Sequence, residues 1–274
     1  MLRGFRNDLA DESLDVAKKL WEYEQARPPV YARSAYTPRD SGYRGQEIAA
    51  TAELLLTTGD AIYSRRLRGL LPTIRTITPQ QFGDGPGWTL VRTLARLDNA
   101  EFQTVVKKLA ADWKAAADQR AAANPYGVRY PEEVSNPNWK LETRTHVLSG
   151  FVWGQGWNLQ ADAMSQYYFN KHLPEIFDRE PLLAVVNHVL GCHPYSNQSY
   201  VSGVGAFSPL IAYGYNRADW SHIPGGVISG VSLIKPDLLE LKVYPFLWYQ
   251  TEYVIGGAAT YIFDLLAADK YLNE

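Results

Sequence analysis

The chain has 274 residues, a formal net charge of −2 and a single cysteine, Cys192. This charge gives no electrostatic footprint for nucleic acid or an anionic membrane surface, and one cysteine excludes an internal disulfide framework or a cysteine-rich metal site. No apolar run is long enough to predict a transmembrane helix, and we find no signal peptide in the sequence.

Helical periodicity dominates the first half of the chain. Apolar residues at three- and four-residue spacing predict helices over residues 11–25, 46–58, 61–71, 88–97 and 100–123. Gly59 is predicted to end the second helix, and Asp60 to cap the third. The stretch 126–157 is rich in Pro, Asn, Gly and Trp, and so long a loop is usually functional.

The second half has fewer helices and longer loops. Helices are predicted over residues 158–169 and 181–190, followed by loops rich in Gly, Pro, Ser and Tyr over 191–245. The last helix, over residues 253–270, carries an apolar stripe: Ile255, Ala258, Ala259, Ile262 and Leu266. Helices without a run of alternating strands predict an all-α array of helical hairpins, with function-bearing loops gathered on one side.

Many of the aromatic residues, which make up 13% of the chain, lie in these loops. Aromatic rings on loops are suited to stacking on the C–H faces of sugars, although tryptophan also fills cores and seams between helices. Both interpretations stay open for four candidates: Trp153, Trp157, Trp220 and Trp248.

Glu252 lies in WYQTEYV, between apolar and aromatic residues. One interpretation is a solvated glutamate at the start of the last helix, where the helix dipole favours a negative charge. The other is a general acid whose carboxyl is desolvated by neighbours such as Trp248 and Tyr249.

Several motifs, taken in chain order, resemble the catalytic domain of glycoside hydrolase family 9, the inverting cellulases. In the C-terminal part they are QSYVSGVG at 198–205, then Arg217, then IPGG at 223–226, then Thr251–Glu252. Upstream, YRGQEIAATAELLLTTGDAIY at 43–63 and FVWGQGWNLQADAM at 151–164 resemble two helical motifs of that family.

This resemblance implies one α/α-toroid domain of the six-hairpin glycosidase type over residues 1–274. It implies hydrolysis of a β-1,4-linked glucan or a related plant polysaccharide with inversion, with Glu252 as the general acid. The substrate-binding residues would be the four tryptophans above together with Tyr215, Arg217, His222 and Tyr249. A polysaccharide or oligosaccharide would be the partner, and a secreted or periplasmic location follows from that substrate.

The sequence also departs from the family pattern. It has no D-A-G-D-like motif for the catalytic base, and about eight helices are predicted, so the toroid should be incomplete and lack its N-terminal part. Tyr215 and Asn216 replace the histidine pair that precedes the arginine, which puts the sugar preference there in doubt. Gly45 and Gln46 replace acidic calcium ligands, so we predict neither a metal nor another cofactor.

Alternatives remain open. The chain is either an active hydrolase, a catalytically incompetent fragment that binds carbohydrate, or, with less support, an α/α-toroid polysaccharide lyase using the tyrosines of YGYNR. Arg217 could instead form a salt bridge with Asp219 or Asp237, and His222 could be structural. An incomplete toroid would expose apolar helix faces, so we expect a homodimer or an aggregation-prone monomer.

Overall fold

The computed structural model describes residues 2–27, 43–130, 154–194, 196–210, 222–231, 233–234, 239–240 and 250–274. The chain divides into two compact units, Met1–Ala111 and Asp112–Glu274. None of the helices in the described ranges is long and apolar enough to cross a membrane.

The first unit is built from helices, and those from the second onward are joined by short turns. They are α1 (Asn7–Gln25), α2 (Tyr43–Thr58), α3 (Ala61–Gly69), α4 (Leu71–Ile74), α5 (Pro79–Gly83), α6 (Gly87–Thr93) and the first half of α7 (Ala100–Ala122). Helix α2 packs against α3 and α6. The core of this unit is apolar, with Ile48, Leu67 and Leu90 completely buried.

Local sequence signals explain some of the helix ends in this unit. Helix α2 ends before Gly59, whose φ of +75° favours glycine, as predicted. Asp60 occupies the N-cap position of α3, but its side chain makes no capping hydrogen bond and instead lies 3.6 Å from the ammonium of Lys18. The predicted N-cap position is therefore confirmed, and the orphan amides of the first turn are not satisfied by the Asp60 side chain. Helix α5, which was not predicted, begins with a capping box formed by Thr78 and Gln81.

A cavity of about 460 Å³ lies between α1 and α2. Leu14, Ala17, Leu20 and Trp21 of α1 form much of its wall. Because its lining contains none of the predicted site residues, this cavity is not the candidate site.

The second unit contains the remaining helices and the long loops. It comprises the end of α7, α8 (Gly156–His172), α9 (Glu180–Val189), the antiparallel strands β1 (Leu233–Ile234) and β2 (Leu239–Glu240), and α10 (Ile255–Asn273). Helix α8 packs against both α9 and α10. Its aromatic residue Phe169 stacks on Phe177 and lies 4.9 Å from the ring of Trp113.

Helix α10 turns a polar and small-residue face inward and an apolar face outward. Gly257, Asp264, Ala267, Ala268 and Tyr271 are its buried residues. The side chains of Ile255, Ile262 and Leu266 in the predicted stripe are instead 90%, 59% and 67% exposed. These three large side chains therefore lie on the surface of this unit, whereas Ala258 of the stripe packs against the core.

Candidate active site

Glu252 lies in a short extended segment whose backbone is tied to a neighbouring loop. The amide of Ser229 donates to the carbonyl of Glu252 at 3.1 Å, and the amide of Gly230 donates to the carbonyl of Gln250 at 3.2 Å. Gln250 and Thr251 are fully buried, whereas Glu252 is half-buried. The carboxylate is therefore carried on a fixed backbone and has partial access to solvent.

The last helix begins later than predicted. Its first residue is Ile255 and its N-cap is Val254, so Glu252 precedes the helix and does not lie in its first turn. Pairing of Tyr253 with Ile228 as an antiparallel bridge holds the chain extended at this point. The interpretation of Glu252 as a first-turn glutamate favoured by the helix dipole is therefore wrong.

Tyr253 connects this segment to the loop that carries Ser202. The Tyr253 hydroxyl and Ser202 Oγ are hydrogen-bonded, and Ser202 Oγ also donates to the carbonyl of Pro209 at 3.0 Å. The ring of Tyr253 passes over Gly226, where a Cβ would lie 2.8 Å from its Cζ. Burial raises the pKa of Tyr253, and the hydrogen bond with Ser202 offsets part of that rise.

Tyr200, in the QSYVSGVG loop, is completely buried. Its ring packs against the backbone of Gly230 and of Gly156. A Cβ on Gly230 would lie 2.5 Å from its ring, and one on Gly156 would lie 2.8 Å from it. Its amide donates to the carbonyl of Val189, and its carbonyl accepts from the amide of Ile228. Glycines at both positions are thus required for the tyrosine to join α8, α9 and the loops.

The hydroxyl of Tyr200 belongs to a buried cluster of histidine and tyrosine side chains. Nε2 of His188 lies 3.1 Å from the Tyr200 hydroxyl and 2.8 Å from that of Tyr130. Burial, followed by the neighbouring His193, lowers the pKa of His188 to about 3. His188 is therefore neutral at physiological pH, and the cluster supports the loops as a hydrogen-bonded core.

Of the predicted substrate-binding residues, the structure describes Trp157 and His222. Trp157 is half-buried against α10, where a Cβ on Gly257 would lie 2.6 Å from its indole ring. His222 is exposed at the start of the loop that leads to Gly226. The others lie outside the described residues: Trp153, Tyr215, Arg217, Trp220, Trp248 and Tyr249.

A buried acidic pair that the sequence did not point to lies between α8 and α10. Asp162 forms a buried ion pair with Arg129, with a distance of 3.0 Å from Arg129 Nε to Asp162 Oδ1. Asp264 is 1% exposed, and neither of its carboxyl oxygens has a hydrogen-bond partner among the described residues. Burial, and then the charge of Asp162, raise the pKa of Asp264 to about 9.

Ser202, Tyr253 and Asp264 were not among the predicted site residues, for different reasons. Nothing in the sequence connects Ser202 to Tyr253, which lie 51 positions apart. Asp264 offered a weak signal, an acidic residue inside an apolar helix, but the sequence does not show which face it occupies. Among the residues that the structure describes, no group of three or more His, Cys, Asp or Glu is arranged to hold a metal ion.

Comparison with known proteins gives structural matches only. No protein-family model matches the sequence, and no curated protein matches it. A cellulase of C. cellulolyticum matches 98% of this chain with a TM-score of 0.69 and 16% identity. A metagenome-derived glycoside hydrolase family 9 endoglucanase matches 97% of it with a TM-score of 0.71 and 19% identity. An endoglucanase of Clostridium thermocellum, solved with cellobiose and cellotriose, matches 93% with a TM-score of 0.63 and 17% identity.

The chain spans 60% of the C. cellulolyticum cellulase and 49% of the metagenome-derived endoglucanase. At these identities the likeness establishes the fold. The predicted all-α fold and its resemblance to family 9 are confirmed at that level: the chain has the α/α-toroid fold of the family 9 endoglucanases, over about half of their length.

Proposed function

We propose that this chain is the acid-bearing part of an inverting glycoside hydrolase that acts on β-1,4-linked glucan or a related plant polysaccharide, within one toroid domain. The proposal is carried by the position of Glu252. Its backbone is tied to Ser229 and Gly230, its carboxylate is half-buried, and the fold is that of endoglucanases. Two of those neighbours were solved with cello-oligosaccharides or cellobiose.

In this mechanism the carboxyl of Glu252 donates its proton to the glycosidic oxygen as the bond from that oxygen to the anomeric carbon breaks. A water molecule attacks the anomeric carbon from the opposite face and gives up a proton to a second carboxylate, the base. In inverting enzymes the two carboxyl groups are about 6.5–9.5 Å apart, which leaves room for that water. These 274 residues contain no D-A-G-D-like motif, so the base would be another carboxylate, supplied either by a different segment of this chain or from outside it.

Sugar binding would fall to the residues predicted from the loops. Arg217 and Tyr215 would donate hydrogen bonds to sugar hydroxyls, and His222 is exposed and accessible for the same role. Trp153, Trp157, Trp220, Trp248 and Tyr249 are the proposed stacking residues. A polymeric glucan does not cross a membrane, so we propose that the protein acts outside the cytoplasm.

The test is hydrolysis of soluble β-glucan and cellotetraose by the unmodified chain and by the variant Glu252→Gln. We expect the variant to lose activity by about 100-fold or more, because the amide N–H is too weak an acid to protonate the leaving group. Glu22→Gln, an exposed glutamate of α1, is the matched control and should be unaffected. NMR of the first product should show the α-anomer. Full activity in Glu252→Gln, or a β-anomer, would refute the proposal.

A second candidate is a carbohydrate-binding protein without catalysis. One observation favours it: the chain spans only 60% and 49% of two structural neighbours, so the residue that acts as base in those enzymes need not have a counterpart in this chain. Calorimetric binding of cellotetraose without any release of reducing ends would support it. The lyase alternative gains no support from these neighbours, which are cellulases and endoglucanases.

A further inference from the structure

The segment carrying Glu252 is fixed on both sides of that residue. Before it, the carbonyl of Gln250 accepts from Gly230, and after it, Tyr253 pairs with Ile228. Side chains of adjacent residues in extended backbone point to opposite faces. Tyr253 packs against the buried core of the unit, so the carboxylate of Glu252 is directed to the other face.

The hydroxyl of Tyr253 bonds to a residue that is itself buried and hydrogen-bonded at every polar group. Ser202 is 1% exposed, and its hydroxyl is the partner of Tyr253 and of the Pro209 carbonyl. The Ser202 amide donates to the carbonyl of Gly226 at 2.9 Å, and its carbonyl accepts from Gly225 at 2.8 Å. Ser202 therefore provides a rigid reference point for the residue that follows Glu252.

The ring and the hydroxyl of Tyr253 have separable roles. The ring is located by contact with Gly226, and this packing would survive in a phenylalanine. The hydroxyl adds a directional bond, whose net contribution to stability is about 1 kcal/mol for a typical hydrogen bond. Loss of the hydroxyl should therefore leave the fold intact while it releases the rotation of the backbone at residues 252–253.

We propose that Tyr253 is a positioning residue for the general acid. The backbone bridge to Ile228 sets the register of this segment, and the bond from Tyr253 to Ser202 fixes its remaining tilt, so that the carboxyl of Glu252 reaches the glycosidic oxygen. A displacement of about 1 Å in a reacting group can lower a rate by about 100-fold. This inference rests on the proposed function of Glu252, and it adds a residue pair that controls how well the acid works.

The test compares two substrates that differ in their need for an acid. Cellotetraose has a poor leaving group that must be protonated, whereas dinitrophenyl β-cellobioside releases a stable phenolate without protonation. For Tyr253→Phe and Ser202→Ala we expect kcat on cellotetraose to fall by about tenfold or more, with KM within about twofold. The rate on the aryl glycoside should stay within about twofold. Tyr261→Phe, a half-buried tyrosine further along α10, is the matched control.

Equal losses on both substrates would mean that Tyr253 only supports the fold, and no loss on either would mean that it has no effect on the acid. Both results overturn the inference. If the unmodified chain hydrolyses neither substrate, the proposed function fails for this chain, and the position of Glu252 is then read by NMR with ¹³C-labelled glutamate. The Glu252 carboxyl resonance, identified by its loss in Glu252→Gln, should shift or split in Tyr253→Phe but not in Tyr261→Phe. An unchanged resonance overturns the inference.

Discussion

Among the residues that the structure describes, Asp264 has a carboxyl whose pKa is raised far above its ordinary value. Its carboxyl is buried in α10 beside Asp162, and the nearby cation, Arg129, is paired with Asp162. With a folded-state pKa of about 9, Asp264 keeps a proton that the unfolded chain, with a pKa near 3.8, releases. Below pH 3.8 both states bind that proton, so Asp264 contributes no pH dependence there. Between the two values the folded state binds more protons, and stability falls as the pH rises.

Asp264→Asn should therefore stabilise the protein at pH 8 and weaken its pH dependence. An amide has the shape of the acid but does not titrate, so the gain should be at least about 1 kcal/mol at pH 8 and smaller at pH 5. Denaturant unfolding at the two pH values measures it. Asp269→Asn, at an exposed position of the same helix, is the control. Identical pH slopes for the unmodified chain and Asp264→Asn would show that Asp264 does not titrate as described.

At the scale of elements, the junction of α8, α9 and the loops depends on Tyr200 and the glycines around it. Gly230 combines a φ of +88° with a close approach to the Tyr200 ring. Gly225 has a similar φ of +75°, but a Cβ there would have no neighbour within 4 Å. Replacing either glycine by an L-residue would therefore carry the same conformational penalty, but only at Gly230 would the new side chain also clash with a neighbour.

Gly225→Ala should lower the free energy of unfolding by about 1–2 kcal/mol, the penalty for a left-handed backbone at one residue. Gly230→Ala should lower it by more, about 3 kcal/mol or above, since the new methyl group must also displace the Tyr200 ring. Thermal and urea unfolding compare the two variants. Equal losses would mean that the contact with Tyr200 does not constrain this junction.

Helix existence was predictable where periodicity and end signals agree. Gly59 marks the end of α2, as predicted, and Pro181, the first residue of the predicted helix 181–190, lies in the first turn of α9. The start of α10 was not predictable, because the sequence around Val254 suits a helix as well as an extended segment. The bridge between Ile228 and Tyr253 decides in favour of the extended form, and that contact is tertiary.

The candidate site was likewise predictable where its signals are local and not where they depend on tertiary contacts. Glu252 and its loops were recognisable from motif order, but their support depends on distant partners. The pairing of Ser202 with Tyr253 joins residues 51 positions apart, and no periodicity reports it. Likewise, the sequence does not show that the indole of Trp157 packs directly against Gly257, where a side chain would not fit.

At the scale of the whole molecule, the apolar face of α10 is the feature that bears on association. Ile255, Ile262, Leu266 and Leu272 are more than half exposed, at 90%, 59%, 67% and 73%. The structural neighbours are longer chains, of which this one spans 49% and 60% in two cases. Ile255, Ile262 and Leu266 lie along one helix face, and such a row of exposed apolar side chains is a surface for association, which is the reason we predict a homodimer or an aggregation-prone monomer.

Replacing Ile262 and Leu266 together by glutamate should shift the chain toward monomer. Two charges on this face remove its apolar character, and since both side chains are exposed, the midpoint of thermal unfolding should change by no more than about 2 °C. Size-exclusion chromatography with light scattering, across a range of protein concentrations, measures the mass. Asn273→Glu adds a charge at an exposed position of the same helix without removing an apolar group, so it should leave the mass unchanged. A monomeric mass for the unmodified chain at every concentration would contradict the prediction, and the α10 face would then be an exposed surface that does not drive self-association.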